Sequence, residues 1–125
     1  MSDLLQDIET YLISKSLITS ANRDTINDSP DSVVALYEYT GKSPAPQIAG
    51  ALRNVQVVVR DKSATAAKNR IREIYNAFET EDGIIYFTED RWCTIQLNQP
   101  PFKMKVDNKE RVLYCFNISL VTYLD

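Results

Sequence analysis

The 125-residue sequence contains no histidine, two cysteines and three glycines. Without histidine the chain lacks the commonest general base near neutral pH, and nucleophiles paired with a histidine are excluded. Two cysteines are too few for a zinc site built from cysteine and histidine ligands. The glycines form neither GxGxxG nor GxxxxGK[ST], the usual phosphate-binding patterns. The sequence therefore predicts a protein that is not an enzyme and holds no cofactor or metal.

The chain also lacks a long apolar run and a strong charge of either sign. No stretch approaches the roughly 20 apolar residues that span a bilayer, and no basic segment precedes an apolar core at the N-terminus. We therefore expect neither a membrane span nor a signal peptide. The formal net charge is −3, which gives no sign of the basic face that nucleic-acid binding requires. The length predicts one domain over residues 1–125.

The two cysteines, Cys93 and Cys115, lie inside strand-like runs and do not form a CxxC pair. We interpret them as buried free thiols of a protein in a reducing compartment. A disulfide between them depends on distances that a sequence does not give.

The strongest local pattern is a strand followed directly by a helix over residues 54–78. The strand is rich in β-branched valine, and Ser63 is a suitable N-cap for the helix. We expect Gly83 to terminate the helix in the left-handed conformation. The apolar residues of the helix recur at spacings of three and four: Ala64, Ala67, Ile71, Ile74, Tyr75 and Phe78.

Further elements follow from the same kinds of pattern. A helix is predicted over residues 2–16, with loops over 19–30 and 41–53. Strands are predicted over 32–40, 84–87, 92–97, 102–106 and 112–123, with a break at Pro100 and Pro101 and a turn at Asp107. The last strand is long and apolar, so we expect it either in the centre of the sheet or paired with another subunit. This order predicts an α+β fold with one mixed, largely antiparallel sheet and two helices packed on one face.

Two surfaces of this predicted fold are candidates for contacts. The sheet face without helices would carry apolar side chains, which suggests self-association. A basic hairpin is predicted from Lys103, Lys105, Lys109 and Arg111. It is either a solvent-facing edge protected by lysines or a contact to a phosphate backbone.

The order of segments resembles that of the minor capsid or tail terminator proteins, which join head and tail in long-tailed bacteriophages. Three stretches carry the resemblance: DLLQDIETYL, VQVVVRDKSATAAKNRIREIYNAF and RWCTIQLNQPPFKMKVDNKERVLYCFNISLVTYLD. The resemblance implies a virion structural protein, assembled in the host cytoplasm, that forms a homo-oligomeric ring, a hexamer, at the head-tail junction. Such a ring ends tail-tube growth and binds the tail-tube protein and the head connector. DNA passes through it without specific recognition.

Three alternative interpretations remain: a small nucleic-acid-binding module with a basic hairpin, a neighbouring head-tail connector adaptor, and an enzyme that uses only Asp, Glu, Lys and Tyr.

If the chain is a tail terminator, several residues become candidates for the interfaces of the ring. The candidates are Lys42, Ile48, Leu52 and Arg53 in a docking loop over residues 42–53, Trp92 and Tyr123 as aromatic anchors, and Lys103 and Lys105 on a sheet edge that faces a neighbour's acids.

Overall fold

The computed structural model describes residues 4–39, 51–88 and 91–122. Its elements, in chain order, are α1 (Leu4–Ser14), β1 (Asn22–Arg23), β2 (Val33–Tyr39), β3 (Ala51–Asp61), α2 (Ala64–Ala77), β4 (Ile84–Tyr86), β5 (Trp92–Val106) and β6 (Val112–Thr122).

The six strands form one sheet in the order β1-β2-β3-β6-β5-β4. Every pair of neighbours is antiparallel except β1 and β2, which are parallel. Apolar residues of both helices share one core with the sheet. The predicted α+β class, the mixed sheet and the packing of two helices on one face are therefore confirmed.

The centre of the sheet is the pairing of β3 with β6, which runs from Ala51 opposite Thr122 to Asp61 opposite Val112. Alternate residues of the two strands face the helices and are fully buried. These residues are Val55, Val57 and Val59 of β3 and Phe116, Ile118 and Leu120 of β6. The predicted central place of the last strand is confirmed.

Helix α2 follows β3 across a short turn, as the sequence predicted. The backbone N–H of Ala66 donates to Oγ of Ser63 at 3.1 Å, so Ser63 is the N-cap. The predicted C-terminus was wrong, because the helix ends at Ala77 and is capped at Phe78. Gly83, with φ of +69°, lies instead in the turn that enters β4, where the glycine tolerates a left-handed backbone.

Helix α1 packs beside the C-terminal end of α2. Its predicted apolar residues are all buried: Leu4, Leu5, Ile8, Tyr11 and Leu12. The Tyr11 ring lies 5.7 Å from the ring of Phe78, and its hydroxyl donates to the carbonyl oxygen of Ala77 at 2.7 Å. This partly buried hydrogen bond joins the two helices.

Strand β5 is a single strand, so the predicted break at Pro100 and Pro101 was wrong. The strand pairs with β6 on one side only over this region, and the pairing shifts register between Leu97 and Gln99 and again between Gln99 and Phe102. Proline has no N–H to donate and is tolerated at an edge or a bulge. The irregular pairing therefore accommodates both prolines.

A second, smaller apolar cluster lies on the sheet face opposite the helices. It consists of Ala35, Val58, Leu113 and Cys115, and Ile26 packs on it. The segment of residues 26–31, here called the strap, therefore covers one end of this face, although the sequence predicted only a connecting loop.

Two buried arginines hold the strap. The guanidinium of Arg60, on β3, donates to the carbonyl oxygens of Asn27 and Pro30, both at 2.7 Å, and of Asp31 at 3.1 Å. Its exposed fraction is 3%. A buried charge is costly unless it is fully hydrogen-bonded, and the strap carbonyls satisfy this requirement.

Arg111 lies just before β6 and is equally buried. Its guanidinium donates to a carboxylate oxygen of Asp107 at 2.8 Å and of Asp28 at 3.0 Å. Lys109 forms an ion pair with Asp28 as well. These contacts join the β5–β6 turn to the strap.

Replacing Arg60 with methionine tests whether the strap depends on this guanidinium. We expect Arg60→Met to lower the free energy of unfolding by about 3 kcal/mol, because several carbonyls of the strap lose a charged donor. Arg72, exposed on α2, is the control. Arg72→Met should change the free energy of unfolding by about 0.5 kcal/mol or less. Equal effects in urea denaturation would contradict this account of the strap.

The carboxylates around Arg111 predict a loss of stability in acid. Hydrogen bonds from Lys109 and Arg111 lower the pKa of Asp28 below its ordinary 3.8. Partial burial raises the pKa of Asp107, but hydrogen bonds from backbone N–H groups and from Arg111 outweigh it, so this pKa is also lowered.

A carboxyl group whose pKa is lowered by folding stabilises the protein above its unfolded-state pKa, and this contribution is lost as pH falls through the folded value. We therefore expect the free energy of unfolding to decrease as the pH falls below about 4. In the double variant Asp28→Asn, Asp107→Asn this pH dependence should be weaker in denaturant titrations. If the free energy of unfolding of the double variant depends on pH as strongly as that of the wild type, other carboxylates cause the pH dependence.

Candidate assembly surfaces

Two of the four candidate residues in the predicted docking loop lie in a strand, so the loop assignment was wrong for them. Leu52 and Arg53 are part of β3 and are half-buried. The Arg53 guanidinium donates to both carboxylate oxygens of Glu38, at 2.6 and 2.8 Å, and thereby joins β3 to β2. Lys42 and Ile48 lie outside the described residues.

Trp92, a predicted aromatic anchor, begins β5 and is half-buried. Its neighbour Cys93 is buried in the helix-side core, so strand alternation places Trp92 on the opposite face. Across the strand pair it lies opposite Tyr86, which is 56% exposed. The structure thus places two aromatic residues at the β4 corner of the sheet. Tyr123, the other predicted anchor, lies outside the described residues.

The predicted lysine edge is present, but the basic hairpin is smaller than the sequence indicated. Lys103 and Lys105 are exposed on β5, and neither forms an ion pair within the described ranges. Arg111 is buried and Lys109 is paired with Asp28, so both charges serve the fold. The prediction of one surface cluster of four basic residues was therefore wrong.

The open sheet face, the face away from the helices, is polar at its middle. The hydroxyl of Ser119 donates to the amide oxygen of Asn54 at 2.7 Å and accepts from the amide nitrogen of Asn98. Nearby, the amide nitrogen of Asn117 donates to the amide oxygen of Gln99 at 2.6 Å. These uncharged groups form an amide network across β3, β6 and β5. The predicted apolar character applies to the two ends of this face: the strap-covered cluster at one end, and Trp92 with the pair Leu52 and Val121 at the other.

The sequence contains a signal for this network. Asn54 and Gln56 alternate with valines in β3, and Asn117 and Ser119 alternate with large apolar residues in β6. Such alternation is typical of a strand with one buried face and one solvent-exposed face. The pairing of particular amides depends on the register and could not be read from the pattern.

The described ranges contain no group of three or more histidine, cysteine, aspartate or glutamate side chains placed to hold a metal ion. None of the helices in these ranges is long and apolar enough to cross a membrane.

These features define an α+β protein built on a single mixed sheet. The sequence profile of a family described as "Bacteriophage tail terminator protein" matches residues 5–124. The chain therefore belongs to this family, and the predicted resemblance is confirmed. The family is a structural one, so the protein is a component of the phage virion with a role in the tail. A comparison with curated proteins finds no match.

The two cysteines are free and buried, as predicted. Burial raises the pKa of the Cys93 thiol to about 12 and that of the Cys115 thiol to about 11. The thiolate is the reactive form of cysteine. We therefore expect neither thiol to react with Ellman's reagent at pH 8 in the native protein, and both to react in denaturant. Rapid modification of a native thiol would contradict the burial.

Proposed function

We propose that this protein forms a ring at the head-proximal end of the tail, ends tail-tube growth there and joins the tail to the head. The observation that carries the proposal is the family match, which extends over residues 5–124 and so includes both helices and all six strands. The ring is proposed to be a hexamer of identical chains.

The mechanism is steric and adhesive. A ring of identical subunits needs an interface that joins two different surfaces of the chain. The open sheet supplies two different edges, β1–β2 and β4–β5, and an aromatic corner at Trp92 and Tyr86. Once seated on the last tube ring, the terminator covers the surface to which the next tube subunit would bind. Its opposite side is then available to the head connector.

The same surface chemistry supports passage of DNA through the ring without specific recognition. The amide network carries no charge, and the chain as a whole has a net charge of −3. Phosphate contacts require free lysine or arginine. Because Arg111 is buried and Lys109 is paired, the alternative of a nucleic-acid-binding module with a basic hairpin has less support. The proposal includes no catalytic step and no cofactor.

The proposal is tested by adding the purified protein to polymerising tail-tube protein of the same phage. We expect discrete rings on one end of each tube in negative-stain images, together with tubes that stop lengthening. Native mass spectrometry of the capped species gives the number of subunits. A protein that neither binds tubes nor limits their length would refute the terminator function.

Trp92 provides a residue-level test. We expect Trp92→Ala to reduce capping by at least about tenfold, because aromatic anchors dominate the energetics of many interfaces. Far-UV circular dichroism should not change. Trp92→Phe keeps an aromatic ring at this position and should retain most of the capping activity. If Trp92→Ala unfolds the chain instead, the residue belongs to the core.

A further inference from the structure

The two edges of the sheet differ in charge and are each partly uncovered. The inference drawn from them rests on the proposed ring, because a ring interface joins unlike surfaces. It identifies which surfaces of neighbouring copies meet.

The first surface is the outer side of β5. Strand β4 pairs only with residues 92–94 of β5, and the N–H of Ile95 donates to the carbonyl oxygen of Gly83. Beyond that point, over residues 96–106, no described strand lies on this side. Lys103 and Lys105 are exposed here, with Met104 37% exposed between them.

The second surface is the outer side of β2. Strand β1 pairs only with Ala35 and Leu36, so residues 37–39 have no strand beside them within the described ranges. Asp24 is exposed here, and one of its carboxylate oxygens accepts the backbone N–H of Glu38 at 3.1 Å. Among the described residues Asp24 forms no ion pair. Tyr39 is 41% exposed.

Strand directions make these two edges compatible. From β2 through β3 and β6 to β5 each neighbour is antiparallel, so β5 runs antiparallel to β2. If the strands run roughly along the ring axis, rotation about that axis keeps their directions. Strand β5 of one copy would then lie antiparallel to β2 of the next. Across the sheet, residues 37–39 of β2 are level with residues 96–99 of β5, whereas Lys103 and Lys105 are level with Val34 and Val33. A stagger between neighbouring copies, of the kind that tilted strands have in barrels, brings the lysines level with Asp24.

We propose that the β5 edge of one copy, with Lys103 and Lys105, contacts the β1–β2 edge of the next copy, with Asp24. The lysines face a carboxylate that lacks an ion-pair partner in the described chain. Met104 and Tyr39 supply apolar area beside the charges. Glu38, already paired with Arg53, borders the contact and has acceptor capacity left.

Two other arrangements are physically reasonable and are outcomes of the test. The lysines could serve only to prevent strand addition at an edge. Alternatively, two β4–β5 edges could meet by two-fold symmetry, with the lysines of each facing Glu81 and Asp82 of the other. That arrangement produces closed pairs instead of a ring.

Zero-length cross-linking of lysine to carboxylate separates these arrangements. Two strands lie between β2 and β5, a span of about 14 Å. A mixture of ¹⁴N- and ¹⁵N-labelled chains identifies links between copies. We expect mixed-label links from Lys103 or Lys105 to Asp24 in two conditions: in concentrated solution and on tail tubes. Links to Glu81 or Asp82 in their place, or no mixed-label links in either condition, would overturn the proposal.

Charge reversal tests the same contact by function. We expect Lys103→Glu combined with Lys105→Glu to reduce mixed-label links and tube capping at least about tenfold, because like charges then face each other. Asp24→Lys should do the same, whereas Asp24→Asn, which retains the acceptor for Glu38, should have a smaller effect. Mixing the two charge-reversed chains should restore assembly. Circular dichroism and the melting temperature confirm that each variant folds.

The matched control is Lys68→Glu with Arg72→Glu, on the exposed side of α2. It changes the net charge equally and should leave assembly unchanged. If the wild-type protein and the β5 charge-reversed variant cap tubes equally well, the edge contact is refuted but the terminator function is supported. If the predicted cross-links form but the protein does not bind tubes, the terminator function is refuted and the edge contact is supported.

Discussion

The register between β3 and β6 is the constraint on which the rest of the structure depends. With Val57 opposite Phe116, alternate residues of both strands face the helices and are buried. A slip of one residue would turn the polar residues of one of the two strands toward the core. The register also brings Asn54 beside Ser119 on the open face, where their side chains are hydrogen-bonded. One pairing therefore determines both the core and the polar surface.

The two faces of the sheet are stabilised by different interactions. Apolar side chains of both helices cover one face. On the other face the chain uses Arg60 and Arg111, whose charges require many acceptors once they are buried. The strap supplies those acceptors and covers the second apolar cluster. The rest of this face and the two sheet edges are left for contacts outside the chain.

This division fits the proposed ring. A tail terminator must keep its own fold while it offers separate surfaces to sister subunits, to the tube and to the head. Charges inside the strap contacts, such as Lys109 with Asp28, contribute to the fold, whereas Lys103, Lys105 and Asp24 are left on opposite edges of the sheet. The basic residues of one hairpin thus have two different roles. This difference is visible only after the side chains have been placed.

The sequence by itself determined the two helices, the main strands and the α+β class, because hydrophobic periodicity and the Ser63 cap are local properties. It also indicated the family through the order of its segments. It failed where non-local contacts decide: bulged edge pairing keeps Pro100 and Pro101 within one strand, and the strap buries Arg111. Burial of a charge and tolerance of a proline depend on partners that are distant in the chain. The tertiary structure alone therefore decided which polar residues support the fold and which remain exposed without an ion-pair partner among the described residues.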